Sequence, residues 1–227
     1  MRQAAEQAAN AIREDILAGR LPAGARIAEA DVARQLSVSR TPIREALSRL
    51  AAEGLVELSP NRGARVTSWT AAELREIFDV RLRLEPYAVR QAVPVLTAAQ
   101  LGELSELAEA MLAAGRPDGP QDLDSIIALN RRFHGLLVAA AGNAALAASL
   151  TAVTHAAVVH QNFQHYTPGA LARSLAHHAE IVEAARAREP AWAESVMRSH
   201  LFNARATMLG DTATGDPVVA TTGEVPS

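Results

Sequence analysis

The segment that most constrains the fold is residues 39–50, in which a proline stands just ahead of an apolar stripe. Ser39 or Thr41 can cap a helix, and Pro42 is tolerated because it would lie in the first turn. The apolar positions recur at helical spacing and predict one buried face: Ile43, Ala46, Leu47 and Leu50. The segment therefore predicts a short helix that begins near residue 40 and buries one side.

The elements around this helix are typical of a helix-turn-helix with a wing. Helices are predicted over residues 3–18 and 29–36, and a tight turn at 37–38 leads into the third helix. Strands over 55–58 and 64–67 follow, and the loop between them contains proline and glycine. The third helix would then be the recognition helix that enters the major groove of DNA.

The polar residues at the start of the third helix suit contacts with DNA. Arg40 can donate two parallel hydrogen bonds to the O6 and N7 atoms of guanine. Ser39 and Thr41 suit phosphate contacts, which set register but not sequence. The alternative is an ordinary helix with a solvated arginine face, and it is disfavoured because turn, helix and hairpin all agree.

Charge is unevenly distributed along the chain, whose net charge is −3. Residues 1–68 hold 10 arginines and 8 acidic residues, whereas residues 69–227 hold 12 arginines and 17 acidic residues. A mildly basic N-terminal part on an acidic body fits a DNA-binding module joined to a regulatory one. Cysteine is absent, which excludes disulfides and thiolate metal sites and favours the cytoplasm. No apolar run is as long as a membrane span, and the N-terminus has no signal-peptide pattern, so the sequence predicts no association with a membrane.

The chain after residue 69 predicts an all-helical bundle. The predicted helices lie near residues 71–93, 97–114, 121–141, 143–164, 169–187 and 190–209. We therefore predict a mainly α chain in which a winged helix-turn-helix (1–69) precedes an all-α ligand-binding domain (70–210). Residues 211–227 have no hydrophobic periodicity and are predicted to be a disordered tail.

Histidines indicate a metal site in this second domain, because all seven lie between His134 and His200. Asn130 and His134 are four residues apart and would share a helix face. His178 and His200 each lie 11 positions from the break at Glu189, so two antiparallel helices would bring them to one level. Three histidines and one oxygen ligand would suit Zn²⁺, Ni²⁺ or Mn²⁺ with positions open for an effector. The alternative is a set of core histidines without a metal.

Both halves of the chain resemble one family. Residues 8–68 resemble the winged helix-turn-helix of the GntR superfamily of bacterial transcription regulators. The matching signatures are residues 16–24, 38–47 and 50–54 and the Asn-Arg-Gly of the wing at 61–63. Residues 71–209 resemble the all-helical FCD ligand-binding domain of the FadR branch. There the signatures are residues 81–85, 130–134, 178–181 and 199–201.

The resemblance implies roles for particular residues of the first domain. Ser39, Arg40, Thr41 and Arg44 would contact phosphates and base edges. Gly63 would let the backbone of the wing approach the minor groove. The implied partner is double-stranded DNA with a pseudo-palindromic operator, bound by a homodimer.

In the second domain the resemblance implies four metal ligands: Asn130, His134, His178 and His200. Many metal-binding relatives carry Asp where this chain has Asn130, and a neutral amide oxygen is a weaker ligand than a carboxylate. Arg81 would project into the domain cavity and clamp a small organic acid, with Glu85 orienting it. His160 and His155 would line the same cavity or else serve helix packing.

These features together predict a regulator, not an enzyme, whose operator binding responds to the acid. Repression relieved by the ligand is the usual arrangement in similar proteins. One alternative is a regulator for which the metal ion itself is the effector. Another is a metal-dependent hydrolase. The sequence offers no convincing general base for it: no HExxH pattern occurs, and Glu180, two positions from His178, would point away from it on a helix.

Overall fold

The computed structural model describes residues 2–17, 19–59, 63–116, 121–154 and 166–210. These residues form two compact units, a head that ends at Ala72 and a body that begins at Glu73. Both units are built mainly from helices, which confirms the predicted fold class. None of the helices in the described ranges is long and apolar enough to span a bilayer. The predicted tail, 211–227, lies outside the described residues.

The head consists of three helices and a small antiparallel sheet. Its elements are α1 (Arg2–Leu17), β1 (Arg26–Ile27), α2 (Glu29–Gln35), α3 (Arg40–Ala52), β2 (Val56–Ser59) and β3 (Gly63–Val66). The strand order is β1-β3-β2, and Leu58 of β2 is opposite Ala64 of β3. The hairpin confirms the predicted wing strands to within one residue, whereas the sequence did not predict β1. Its two residues are too few to give a periodic pattern.

Two helix ends fix the entry and exit of α3. Ser37 follows α2 in the left-handed region (φ 55°), and the N–H of Val38 donates to the carbonyl of Ala33 at 3.0 Å. Gly54 follows α3 in the same way (φ 74°), with Leu55 N–H donating to the Leu50 carbonyl at 2.9 Å. Both are Schellman ends, which satisfy the last carbonyls of a helix and reverse the chain sharply.

The body contains six described α-helices. They are α4 (Ala71–Ala92), α5 (Ala98–Ala114), α6 (Leu123–Ala140), α7 (Ala144–Val153), α8 (Pro168–Arg186) and α9 (Pro190–Gly210). Most starts carry side-chain caps: Thr97 forms a capping box with Gln100, and Asp122 accepts from the N–H of Ser125. The predicted helix 143–164 is interrupted, because Thr154 leaves the helical conformation, and its remainder at 155–164 lies outside the described residues. No proline or glycine marks that end in the sequence.

A buried proline links α4 to α9. Pro86 lies inside α4 and has no N–H for the carbonyl of Leu82, four residues earlier. Arg198 of α9 donates to that carbonyl at 3.0 Å, and its other amino group donates to Glu194 at 3.2 Å. Glu194 also accepts from Arg90 of α4 at 2.8 Å. The carbonyl that Pro86 frees is therefore satisfied by a neighbouring helix, which fixes the register of α9 against α4.

Candidate functional site

The N-terminal end of α3 presents an exposed polar face. Ser39 precedes the helix in an extended conformation and makes no capping hydrogen bond. Arg40 and Thr41 are exposed, and Arg40 has no ion-pair partner among the described residues. The opposite face is buried as predicted: Ile43, Ala46, Leu47 and Leu50. The helix therefore exposes the side chains from which the sequence predicts DNA contacts, and those contacts stay a prediction.

Arg44 differs from Arg40 because it is held by a neighbouring helix. Its Nε donates to Glu29 of α2 at 2.8 Å, and its side chain is 64% exposed. The ion pair fixes one edge of the guanidinium and leaves the rest near the solvent. Arg44 is thus oriented before any partner binds, at a smaller entropic cost than for a freely rotating side chain.

Gly63, expected at the wing, is buried at the start of β3 and has a structural reason to be glycine. Its φ is +89°, and a Cβ at this position would collide with the carbonyl oxygen of Ile27 in β1. The backbones of β1 and β3 therefore approach closely through Gly63. Its predicted contact with the minor groove is not tested, and residues 60–62 at the wing tip lie outside the described residues.

Three helices of the body bring His134, His178 and His200 together. One ring nitrogen from each lies within 4.8 Å of the others. The ring centroids of His178 and His200 are 4.6 Å apart, and His134 lies 5.5 Å from His178 and 5.2 Å from His200. The sequence predicted that α8 and α9 pair about residue 189 and bring His178 and His200 to one level. The ring distances agree with that prediction.

Several ring nitrogens of the cluster lack protein partners among the described residues. His178 is completely buried, and its one hydrogen bond in the described residues is with the backbone of Ser174, one turn earlier on α8, so at least one ring nitrogen has no partner there. His134 Nε2 and His200 Nδ1 are buried and equally without a partner in that part of the chain. A buried polar atom without a partner costs about 1–3 kcal/mol. Several such atoms converging on one point fit a borderline metal ion such as Zn²⁺, for which imidazole is a preferred ligand.

Asn130 lies one turn before His134 on α6 and is 7% exposed. Its Oδ1 is buried and has no hydrogen-bond partner among the described residues. An amide oxygen in this state can serve as a neutral oxygen ligand. Asn130 therefore fits the role of fourth ligand on burial and on chemistry.

A buried relay runs from α4 to the cluster. Arg81 donates through Nε to Glu85 at 2.6 Å, and Glu85 Oε2 pairs with His134 Nδ1 at 2.9 Å. Because a carboxylate only accepts, Nδ1 of His134 donates to Glu85, and in the neutral imidazole Nε2 then keeps the lone pair that a metal binds. The sequence predicted that Glu85 orients Arg81 but missed its contact with His134. The available signal was two opposite charges four residues apart on an otherwise apolar face.

Burial and charge set the protonation states of this site. Burial alone would raise the pKa of Glu85, but the Arg81 charge and the hydrogen bond from His134 outweigh it and lower the pKa to about 2. Burial, with neighbouring positive charge, lowers the pKa of His178 and His200 well below the ordinary value. The two imidazoles are therefore neutral at pH 7, the form that binds a metal.

A groove of about 360 Å³ adjoins the cluster between α4, α6 and α7. Arg81, Glu85, Asn130 and His134 lie on its wall. The Nη groups of Arg81 make no hydrogen bond within the described ranges, although Arg81 is buried and lies 5.1 Å from the ring of Phe78. The groove therefore combines a cation with the exposed side of the cluster.

The remaining histidines contribute less. His155, His160 and His165 lie outside the described residues, so the expected role of His160 in effector binding is not tested. His177 is half-buried, and burial lowers its pKa. Its ring lies 6.1 Å from that of His200, outside the three-histidine cluster.

Two family models match the chain, one for each unit. The model for bacterial regulatory proteins of the gntR family matches residues 4–66, and the FCD domain model matches residues 76–203. The second match alone spans more than half of the chain.

Individual relatives agree with the family models. An uncharacterized HTH-type transcriptional regulator of Agrobacterium vitis is 36% identical over 135 residues, which are 58% of this chain and 77% of that protein. The HTH-type transcriptional repressor RspR of Escherichia coli is 29% identical over 84% of this chain and 82% of its own length. The solved structure of E. coli McbR/YncC superimposes with a TM-score of 0.73 and 26% identity, covering 93% of this chain and all of that one.

The fold and the two matches define a DNA-binding transcription regulator with a helical effector domain. The chain belongs to the GntR family and carries an FCD domain. It is a regulator and not an enzyme, as the sequence predicted.

Proposed function

We propose that the chain is a repressor whose affinity for its operator is set by a small organic acid bound beside a metal ion in the body. The ligands are Asn130, His134, His178 and His200, and the ion is Zn²⁺, Ni²⁺ or Mn²⁺. The observation that carries the proposal is the convergence of three histidines, each with a buried ring nitrogen that has no partner among the described residues. Bound there, the ion supplies a Lewis-acidic position for a carboxylate oxygen.

The chain's own residues have separate tasks in this proposal. Arg81 provides the second contact for the carboxylate, because its Nη groups are not engaged within the described residues. Glu85 keeps His134 in the tautomer whose Nε2 is free, and it neutralises Arg81 when no acid is bound. The acid changes operator affinity only by its differential affinity for the two states of the protein.

In the head, Arg40 reads a base and Ser39, Thr41 and Arg44 contact the backbone of the DNA. A homodimer would place two α3 helices on successive half-sites of a pseudo-palindromic operator. The repressor assignment is supported by the name of the relative RspR. The cytoplasm is the compartment in which such a regulator meets DNA.

The test is thermal unfolding of the full chain, stripped with a chelator and reloaded with Zn²⁺, Ni²⁺ or Mn²⁺. Each form is screened against monocarboxylates, dicarboxylates, sugar acids and amino acids. An acid present at 100 times its Kd should add about 2.7 kcal/mol to the free energy of unfolding. Arg81→Ala and His178→Ala should abolish that gain, whereas Arg83→Ala, an exposed arginine on the same helix, should retain it.

Two other outcomes contradict the proposal in different ways. Stabilisation by metal alone, with release of DNA by the same metal, would make the ion itself the effector. No response to any metal or acid would mean that the histidines are ordinary core residues. Sedimentation analysis tests the dimer separately, and a monomer bound to a single half-site would contradict it.

A further inference from the structure

The groove beside the histidine cluster changes in character along its length. On α6 its wall begins with Asn130, Arg131 and His134 and continues with Gly135, Val138 and Ala139. These positions span about 13 Å of helix. The wall is therefore polar and cationic at one end and apolar at the other.

Helix α7 repeats this gradient. Its groove residues are Ala147, Leu150, Thr151 and Thr154. Since only residues 141–143 separate α6 from α7, Ala147 lies near the apolar end of the α6 wall and Thr154 farther from it. Thr151 donates its hydroxyl proton to the Ala147 carbonyl at 2.9 Å, so it offers no proton to a ligand hydroxyl. Among the described residues, the two walls thus provide only the hydroxyls of Thr151 and Thr154 as polar groups away from the cluster.

Gly135 is a second, independent sign that the apolar end is kept open. It lies inside α6, where glycine is the least favourable residue apart from proline. A Cβ added there would meet no atom of the described residues within 4 Å, so close packing does not require glycine. The missing side chain instead leaves space in the wall of the groove.

We infer that the effector is a monocarboxylate with an unbranched aliphatic chain, whose chain lies over Gly135. The carboxylate lies at the end lined by Arg81 and Arg131, and this inference rests on the proposed acid-binding function. A sugar acid of the same length would place several hydroxyls against described walls whose polar groups away from the cluster are only the hydroxyls of Thr151 and Thr154, which costs binding energy. A dicarboxylate would place a second charge against the apolar end.

The test measures the Kd of the Zn²⁺-loaded full chain by calorimetry for acetate, butyrate, hexanoate and octanoate. Each methylene that enters the groove should tighten binding about fourfold, which corresponds to about 0.8 kcal/mol. Gluconate and adipate, which match hexanoate in carbon number, should bind at least tenfold more weakly than hexanoate.

Matched variants locate the chain in the groove. Gly135→Leu should abolish the gain from acetate to hexanoate but keep acetate binding. Gly102→Leu is the control, because Gly102 is also exposed inside a helix, has an open Cβ position among the described residues and does not line the groove. Ala139→Leu is a second blocking variant on the same wall, and it decides the question if Gly135→Leu fails to fold.

The outcomes separate the two claims. Equal Kd values along the series, or gluconate or adipate binding as tightly as hexanoate, would overturn the aliphatic-chain inference and leave acid sensing intact. Unchanged chain-length dependence in both groove variants would also overturn it. No binding of any acid would refute the proposed function and this inference together.

Discussion

Replacing His178 by leucine tests whether the cluster exists for a ligand or for the core. His178 is completely buried, and beyond its hydrogen bond with the backbone of Ser174 it leaves a ring nitrogen without a partner among the described residues. A buried nitrogen without a partner costs about 1–3 kcal/mol, and an apolar side chain of similar volume removes that penalty at a repacking cost of up to about 1.5 kcal/mol. We therefore expect His178→Leu to stabilise the metal-free protein by about 1 kcal/mol.

The same substitution should remove the response to metal. With a metal at 100 times its Kd, the wild-type chain should gain about 2.7 kcal/mol and the variant nothing. Urea unfolding in chelator measures the free energy of unfolding without metal, and urea unfolding with Zn²⁺ measures the gain from the metal. His177→Leu is the control for the metal response alone, because His177 is adjacent and half-buried and lies outside the cluster, whereas its buried Nδ1 also lacks a partner among the described residues. A variant that is less stable without metal and still gains stability from Zn²⁺ would refute the reasoning.

Three further predictions follow from the site and the head. Glu85→Gln should weaken metal binding 10- to 100-fold, because the amide no longer selects the His134 tautomer. Competition with a chromogenic chelator measures the Kd for the metal, and an unchanged Kd would exclude the role of Glu85 in orienting His134. Arg40→Ala should cost about 1–3 kcal/mol at one base pair in a binding selection, while an unaltered sequence preference would remove Arg40 from base recognition. In chelator, the free energy of unfolding should fall as the pH drops below about 6.5, because the histidines bind protons in the unfolded chain while buried His178 and His200 stay neutral in the folded one. The free energy should change by up to about 1.4 kcal/mol per pH unit for each of the two residues. A flat profile from pH 7 to 5 would contradict their lowered pKa.

The sequence was sufficient where local patterns decide the structure. The stripe from Ile43 to Leu50 predicted α3 and its buried face, because helical spacing alone determines which side chains are covered. The equal distances of His178 and His200 from residue 189 predicted their meeting, since an antiparallel hairpin leaves little freedom in register. Both inferences needed only the rise and the period of a helix.

The sequence was insufficient where contacts depend on how helices pack. The hydrogen bond between Glu85 and His134 joins α4 to α6, and no spacing along the chain specifies the angle between those helices. The end of α7 at Val153 carries no proline or glycine signal. The close approach that explains Gly63 involves β1, a strand too short to show a pattern.

The measurement that tests the central claim most directly is the coupling between acid and DNA. A duplex selected from random sequence is titrated with the Zn²⁺-loaded full chain, and fluorescence anisotropy gives its Kd with and without saturating hexanoate. The account predicts a 5- to 150-fold weaker Kd with the acid, and the acid's own Kd must weaken by the same factor when DNA is bound. An acid that binds the body and leaves the Kd for DNA unchanged would contradict the account.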